Sequence, residues 1–127
     1  MKNNFILLHF IQNNKAFYVD AKRIMLAASD NTQTALIMED GKTIYVTENS
    51  NRIEDKLKEL GIHTILVHGI TANNSIIFNV DHIVKIEEKV YTAKKTGASI
   101  TLDCNKVLPI DCNETISQVM TKIDNAD

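Results

Sequence analysis

The chain has 127 residues, a net charge of −2 and 44% hydrophobic residues. Roughly two-thirds of the surface of a chain this long can be buried on folding, so a core needs neither metal nor disulfide, and the charge balance exerts no global pull toward nucleic acid or anionic lipid. One proline and four glycines exclude a long flexible linker, and no stretch reaches the roughly 18 apolar residues that a membrane helix needs.

In chain order, the opening stretch MKNNFILLHFIQNNK holds a short apolar run with no cleavage site after it. A cytoplasmic protein is expected, with Cys104 and Cys112 as reduced thiols. Residues 5–11 read as a strand, and the turn at Asn13-Asn14 uses a residue that tolerates the left-handed conformation. A second strand follows over 16–19, then a turn through Asp20 and a third strand from Ile24. Leu36 and Met38 alternate with polar neighbours over 34–39, the mark of a sheet with one buried face. EDGK (39–42) is a strong hairpin turn, and Ile44 and Val46 carry the closing strand. Ile53, Leu57 and Leu60 then form one helical stripe, with Asn51 and Glu54 as a capping box and Gly61 as the stop.

From residue 64 the pattern starts again. At an offset of 59, Ile6-Leu7-Leu8-His9 falls on Ile65-Leu66-Val67-His68, Asn14 on Asn73, Val19-Asp20 on Phe78-Asn79 and Ile24 on Ile83. After a five-residue insertion, Leu36, Met38, Lys42, Ile44 and Val46 meet Ile100, Leu102, Lys106, Leu108 and Ile110. Ile53, Leu57 and Leu60 meet Ile116, Met120 and Ile123 at one residue less. Pro109 cannot donate to a ladder, so its strand belongs at an edge or turns that residue outward. Thr115 with Gln118, or Asn113 further out, caps the second helix. A charge at Leu57 or Met120 should disrupt folding. The same segments in the same order point to a duplicated unit.

Chemistry is sparse. His9 and His68 hold equivalent places and would converge on a metal only across a twofold; no H-x-H, HExxH or Cys/His pair stands at ligand spacing. They read as polar residues closing each first strand, and His63 and His82 as surface residues. Neither Cys104, in a turn, nor Cys112, just before a helix, can be assigned a histidine base. Glu39-Asp40, Glu54-Asp55 and Glu87-Glu88 are adjacent pairs whose members diverge, as on solvated faces. There is no Walker A loop, GxGxxG or GxSxG. The stretch KIEEKVYTAKKTG (85–97) carries the insertion and reads as a long hairpin tip. Its Lys85, Lys89, Lys94 and Lys95, with Tyr91, could touch phosphates, while Glu87 and Glu88 dilute the charge.

IIFNVDHIVKIEE followed by SITLDCNKVLPIDCNETISQV resembles the small FlbD-type family of flagellar and swarming-motility proteins. Asn79, Ile83, Ile86-Glu87-Glu88, Asn105 and Glu114 stand at matching places. In the first half Asp20, Ile24, Gly41 and Glu48 match, with Leu26-Ala27-Ala28 in place of I-E-E. The resemblance, one unit per half, implies an assembly or regulatory interaction without catalysis. The order of VDAKRIMLAA, LIMEDGKTIYVTENSNRIEDKL, VHGITANNSIIFNVDHIVKIE and VLPID is similar to the LytTR DNA-binding domain, although His68 is followed by GITANNSII where that family carries His-Arg-Ser.

The expected fold is α+β, mostly β: one domain over 1–127, built of two ββββα-like repeats, 5–61 and 64–124, packed as a pseudo-twofold pair. The expected function is a non-enzymatic protein-interaction or assembly module, self-association included, contacting its partner through exposed strand edges. The alternative is a LytTR-like nucleic-acid binder working through Lys85, Lys89, Lys94 and Lys95. No catalytic, cofactor or metal residue, no small-molecule substrate and no membrane partner is assigned.

Overall fold

The computed structural model describes residues 3–70 and 74–126. The first half runs β1 (Phe5–His9), β2 (Ala16–Asp20), a 3-10 turn (Ala21–Arg23), β3 (Ile24–Ser29), β4 (Thr34–Met38), β5 (Thr43–Val46) and α1 (Ser50–Glu59). The second half follows the same order: β6 (Thr64–His68), β7 (Ser75–Asn79), a 3-10 turn (Val80–His82), β8 (Ile83–Thr92), β9 (Lys95–Leu102), β10 (Ile110–Cys112) and α2 (Ile116–Asp124). The class is α+β and mostly β. Each half carries five strands and a helix, one strand more than the ββββα layout.

Local chemistry sets these elements in parallel ways. Asn14 takes a positive φ of 57° in the β1–β2 turn, and Gly41 one of 85° in the EDGK turn. The counterpart turn residue, Asn73, lies outside the described residues. Asp20 and Asn79 each cap a 3-10 turn, accepting from the N–H groups of Lys22 and Asp81. A β-bulge falls at the start of the third strand in both halves, between Ile24 and Leu26 and between Ile83 and Lys85.

Three antiparallel sheets result: β1-β2, β5-β4-β3-β7-β6 and β10-β9-β8. The five-stranded sheet is the middle layer, since its residues alternate between two cores. Ile24, Leu36 and Ile77 join Ile6, Leu8 and Val19 of the β1-β2 sheet, with Ile53 and Leu57 of α1. Leu26, Ile76 and Phe78 join Ala98, Ile100 and Leu102 of β9, with Val119 of α2. Small layers therefore sit on opposite faces of the central sheet.

Strand pairing does not follow a twofold. The halves join where β3 pairs with β7, in the register Leu26↔Phe78 to Ser29↔Ser75. A twofold would also pair β8 with β2, and these strands lie in separate sheets. The arrangement is head-to-tail, because each half packs its two-stranded piece over its own three-stranded piece and lends a strand sideways to the other.

Two registers near the ends differ from the sequence reading. Ile44 pairs with Leu36, and Ile110 with Ile100, so Ile110 is the counterpart of Ile44. The second turn absorbs two more residues, Leu108 is 82% exposed, and Pro109 precedes an edge strand that it could not have extended by hydrogen bonding. The helix register moves likewise. Asn49, not Asn51, caps α1 by accepting from the Arg52 N–H, whereas Thr115 and Gln118 form the expected box on α2. Val119 is then the counterpart of Ile53, and both are fully buried. Met120 is 45% exposed, so the expectation that a charge there breaks the fold is corrected: it lies on the outer flank of the stripe. Gly61, at a φ of 76°, ends α1, with the N–H of Ile62 returning to the Leu57 carbonyl.

Candidate functional site: two open edges and a lysine hairpin

Backbone bridges link the sheets into one sequence of neighbours. Phe10 bridges Val46 at the end of β1 and β5, and Gly69 bridges Cys112 at the end of β6 and β10. The order is therefore β2-β1, then β5-β4-β3-β7-β6, then β10-β9-β8. Its outermost members are β2 and β8. Among the described residues each has one edge of backbone N–H and C=O groups without a strand beside it, a ready template for another strand, whereas the facing edges of β1 and β5 and of β6 and β10 meet at a single bridge each. Apolar side chains are exposed along both: Phe5 (51%) and Tyr18 (68%) on the β1-β2 layer, Val84 (61%) and Val90 on β8.

A shallow groove of about 310 Å³ runs between β8 and α2, lined by Val80, Ile83, Val84, Ile86, Met120 and Ile123, with Lys85 at its rim. Ile83, Ile86 and Ile123 are only partly buried, whereas their counterparts Ile24, Ala27 and Leu57 are sealed into the first core.

The four lysines share one hairpin but not one surface charge. Lys85 pairs with Glu87 at 3.3 Å, and Lys89 lies 3.9 Å from Asp111. Lys94 and Lys95 stand exposed at the β8-β9 tip, with no ion-pair partner among the described residues. Tyr91 is turned inward: its hydroxyl donates to the Cys112 carbonyl at 2.8 Å, over Gly97. It is not presented for base stacking.

His9 and His68 do not share a partner. The His9 N–H donates to Glu48 Oε1 at 3.0 Å and its Nδ1 lies 2.7 Å from Oε2. His68 repeats this with Glu114, at 2.9 Å from its N–H to Oε1 and 2.8 Å from its Nδ1 to Oε2. In both halves the carboxylate before the helix clamps the end of the first strand. Burial favours the neutral acid at Glu48, yet the His9 ring and N–H outweigh it and hold the carboxyl below its ordinary range.

The sequence reading missed His82, which is a junction residue and not a surface one. Its Nδ1 lies 2.9 Å from Asp103 Oδ1, and its Nε2 2.9 Å from the Lys22 carbonyl in the other half. Burial lowers its pKa, but the Lys22 carbonyl and the Asp103 carboxylate outweigh this and raise it above the ordinary imidazole value. Arg23, its counterpart, donates to Glu39, which stands at the place of Asp103, and also to Asp20, both within its own half. A signal was present: His82 and Asp103 sit at the offsets of Arg23 and Glu39, a charge pair in each half.

Neither thiol forms a disulfide among the described residues. Cys112 is buried, and burial, reinforced by the charge of Glu114, pushes its thiol up, away from the reactive thiolate. Among the described residues no helix is long and apolar enough to cross a membrane.

No protein-family model, curated protein or solved structure matches the chain.

Proposed function

We propose that the protein is a non-enzymatic assembly or interaction module, derived by duplication of a five-strand-and-helix unit and acting in the cytoplasm. It binds a protein partner by strand addition at β2 or β8. The supporting observation is the strand order, which ends on both sides in an open edge flanked by exposed apolar side chains. Both edges carry devices that blunt self-pairing, since β2 has five residues and β8 is bulged between Ile83 and Lys85 and bears Lys85, Glu87, Glu88 and Lys89, but neither is guarded along its whole length. β8 runs for ten residues and carries Val84 and Val90 among its lysines.

The test sets this against the nucleic-acid reading through Lys85, Lys89, Lys94 and Lys95. Molar mass is measured by light scattering across protein concentration, and binding to mixed-sequence duplex DNA at two salt concentrations. A defined oligomer or a stoichiometric protein complex, with no duplex binding at low salt, is expected. Salt-sensitive duplex binding that disappears in the Lys94→Glu/Lys95→Glu variant would replace the assembly function by the nucleic-acid one.

A further inference from the structure

We propose that the partner is a second copy of this chain, whose β2 edge adds to the free β8 edge and extends the three-stranded layer to five strands. This deepens the assembly reading and rests on it.

The β3–β7 junction shows what such an edge accepts. There the third strand of one half takes the second strand of the other. The open edges belong to the remaining members of the same set: β8 is a third strand and β2 a second strand. They sit in layers on opposite faces of the central sheet, so they cannot satisfy each other within one molecule. Outer layers of two and three strands together make the five of the middle layer.

The register carries over by the 59-residue offset. Ala27 faces Ile77 in the internal junction, so Ile86 faces Tyr18 of the second copy. Ile77 is 1% exposed and packs in the core that holds Ile24, Ala27 and Leu57. The β8–α2 groove is walled by the counterparts Ile83, Ile86 and Ile123. Tyr18 of the second copy is the side chain that fills it, which accounts for an aromatic left 68% exposed in the single chain.

Charge agrees at the turn. His82 reaches the Lys22 carbonyl across the internal junction. The equivalent contact brings Arg23 of the second copy to the Asp81 carbonyl, beside the exposed Asp81 carboxylate. Two differences weaken the end junction. Asn79 donates to the Ile24 carbonyl at 3.1 Å inside the molecule, and its counterpart Asp20 only accepts when ionised. Lys85 and Glu87 replace the buried Leu26 and the partly buried Ala28. The association is therefore reversible, where the internal one is permanent.

A mixing experiment decides. Tyr18→Glu blocks the β2 side and leaves the groove; Met120→Glu blocks the groove and leaves β2. Both residues are exposed, so each variant keeps the wild-type circular dichroism; if either does not, Tyr18→Ser or Met120→Gln replaces it. By sedimentation equilibrium the wild-type mass rises with concentration, each variant alone associates tenfold or more weakly, and an equimolar mixture recovers a 1:1 dimer through the one intact junction. A mixture no better than its components, or a wild-type chain monomeric throughout as Lys85 and Lys89 guarding the edge would make it, overturns the second copy as occupant. Strand addition by a different protein survives that result and is overturned instead by the duplex-binding outcome described above.

Discussion

Two side chains couple the stability of the fold to pH in opposite directions. His82 has a folded pKa above its ordinary value of 6.5, so its contribution is complete below that pH and is lost as pH rises through the raised value. Chemical denaturation between pH 6 and pH 8 should show stability falling at the upper end, and His82→Gln should flatten this slope. Glu48 has a folded pKa below its ordinary value of 4.5, so its contribution is present above that pH and is lost as pH falls through the lowered value. Glu48→Ala leaves the His9 N–H without its acceptor and should cost about 1–3 kcal/mol at neutral pH. Equal stability of Glu48→Ala and wild type would show that the clamp does not hold β1. Reactivity should separate the thiols: Cys104, partly exposed, is modified by a maleimide in the folded state, and buried Cys112 only after unfolding.

At the scale of elements, what was legible in the sequence depended on whether a pattern had one solution. The α1 stripe did. Ile53 and Leu57 are both buried, and Leu57→Ala should cost about 2–5 kcal/mol in equilibrium unfolding. In α2, Ile116, Val119, Met120 and Ile123 span two adjoining flanks, and periodicity alone could not say which faces inward; packing on β6, β8 and β9 selects Val119 and Ile123. Met120→Glu should accordingly leave the folded spectrum intact, where Leu57→Asp unfolds the protein. The closing strand slipped for a related reason. Leu108 and Ile110 alternate as well as Ile110 and Cys112 do, and only the preceding proline and the Gly69–Cys112 bridge fix which pair is in the sheet. Gly97 illustrates a constraint with no sequence signature. A Cβ there would collide with the Cys112 carbonyl and the Tyr91 ring, so Gly97→Ala should destabilise the β8–β10 layer by about 1–3 kcal/mol, visible as a lower denaturation midpoint.

For the whole molecule, the recurring order of elements was readable because it is local: strands, turns and helix caps repeat along the chain at nearly constant spacing. The joining of the halves was not, since it depends on which of several equivalent edges pair over long range, and β3–β7 pairing without β8–β2 follows from layer positions that no single segment encodes. The lysines of the hairpin were visible as residues, but Asp111 opposite Lys89 and the inward turn of Tyr91 belong to tertiary structure. Head-to-tail joining has a general consequence: a heterologous contact leaves complementary ends, which close into a ring or extend until something caps them. Here the ends are an edge with a tyrosine above it and an edge with a groove beside it.

The most direct measurement is backbone hydrogen exchange followed strand by strand at low and high protein concentration. Protection should rise with concentration at residues 16–20 and 83–88, the two open edges, while β4 and β9 in the interior of their sheets stay unchanged. Edges that exchange equally fast at every concentration and in the presence of protein partners, with protection gained only at residues 93–95 when duplex DNA is added, would contradict the assembly account.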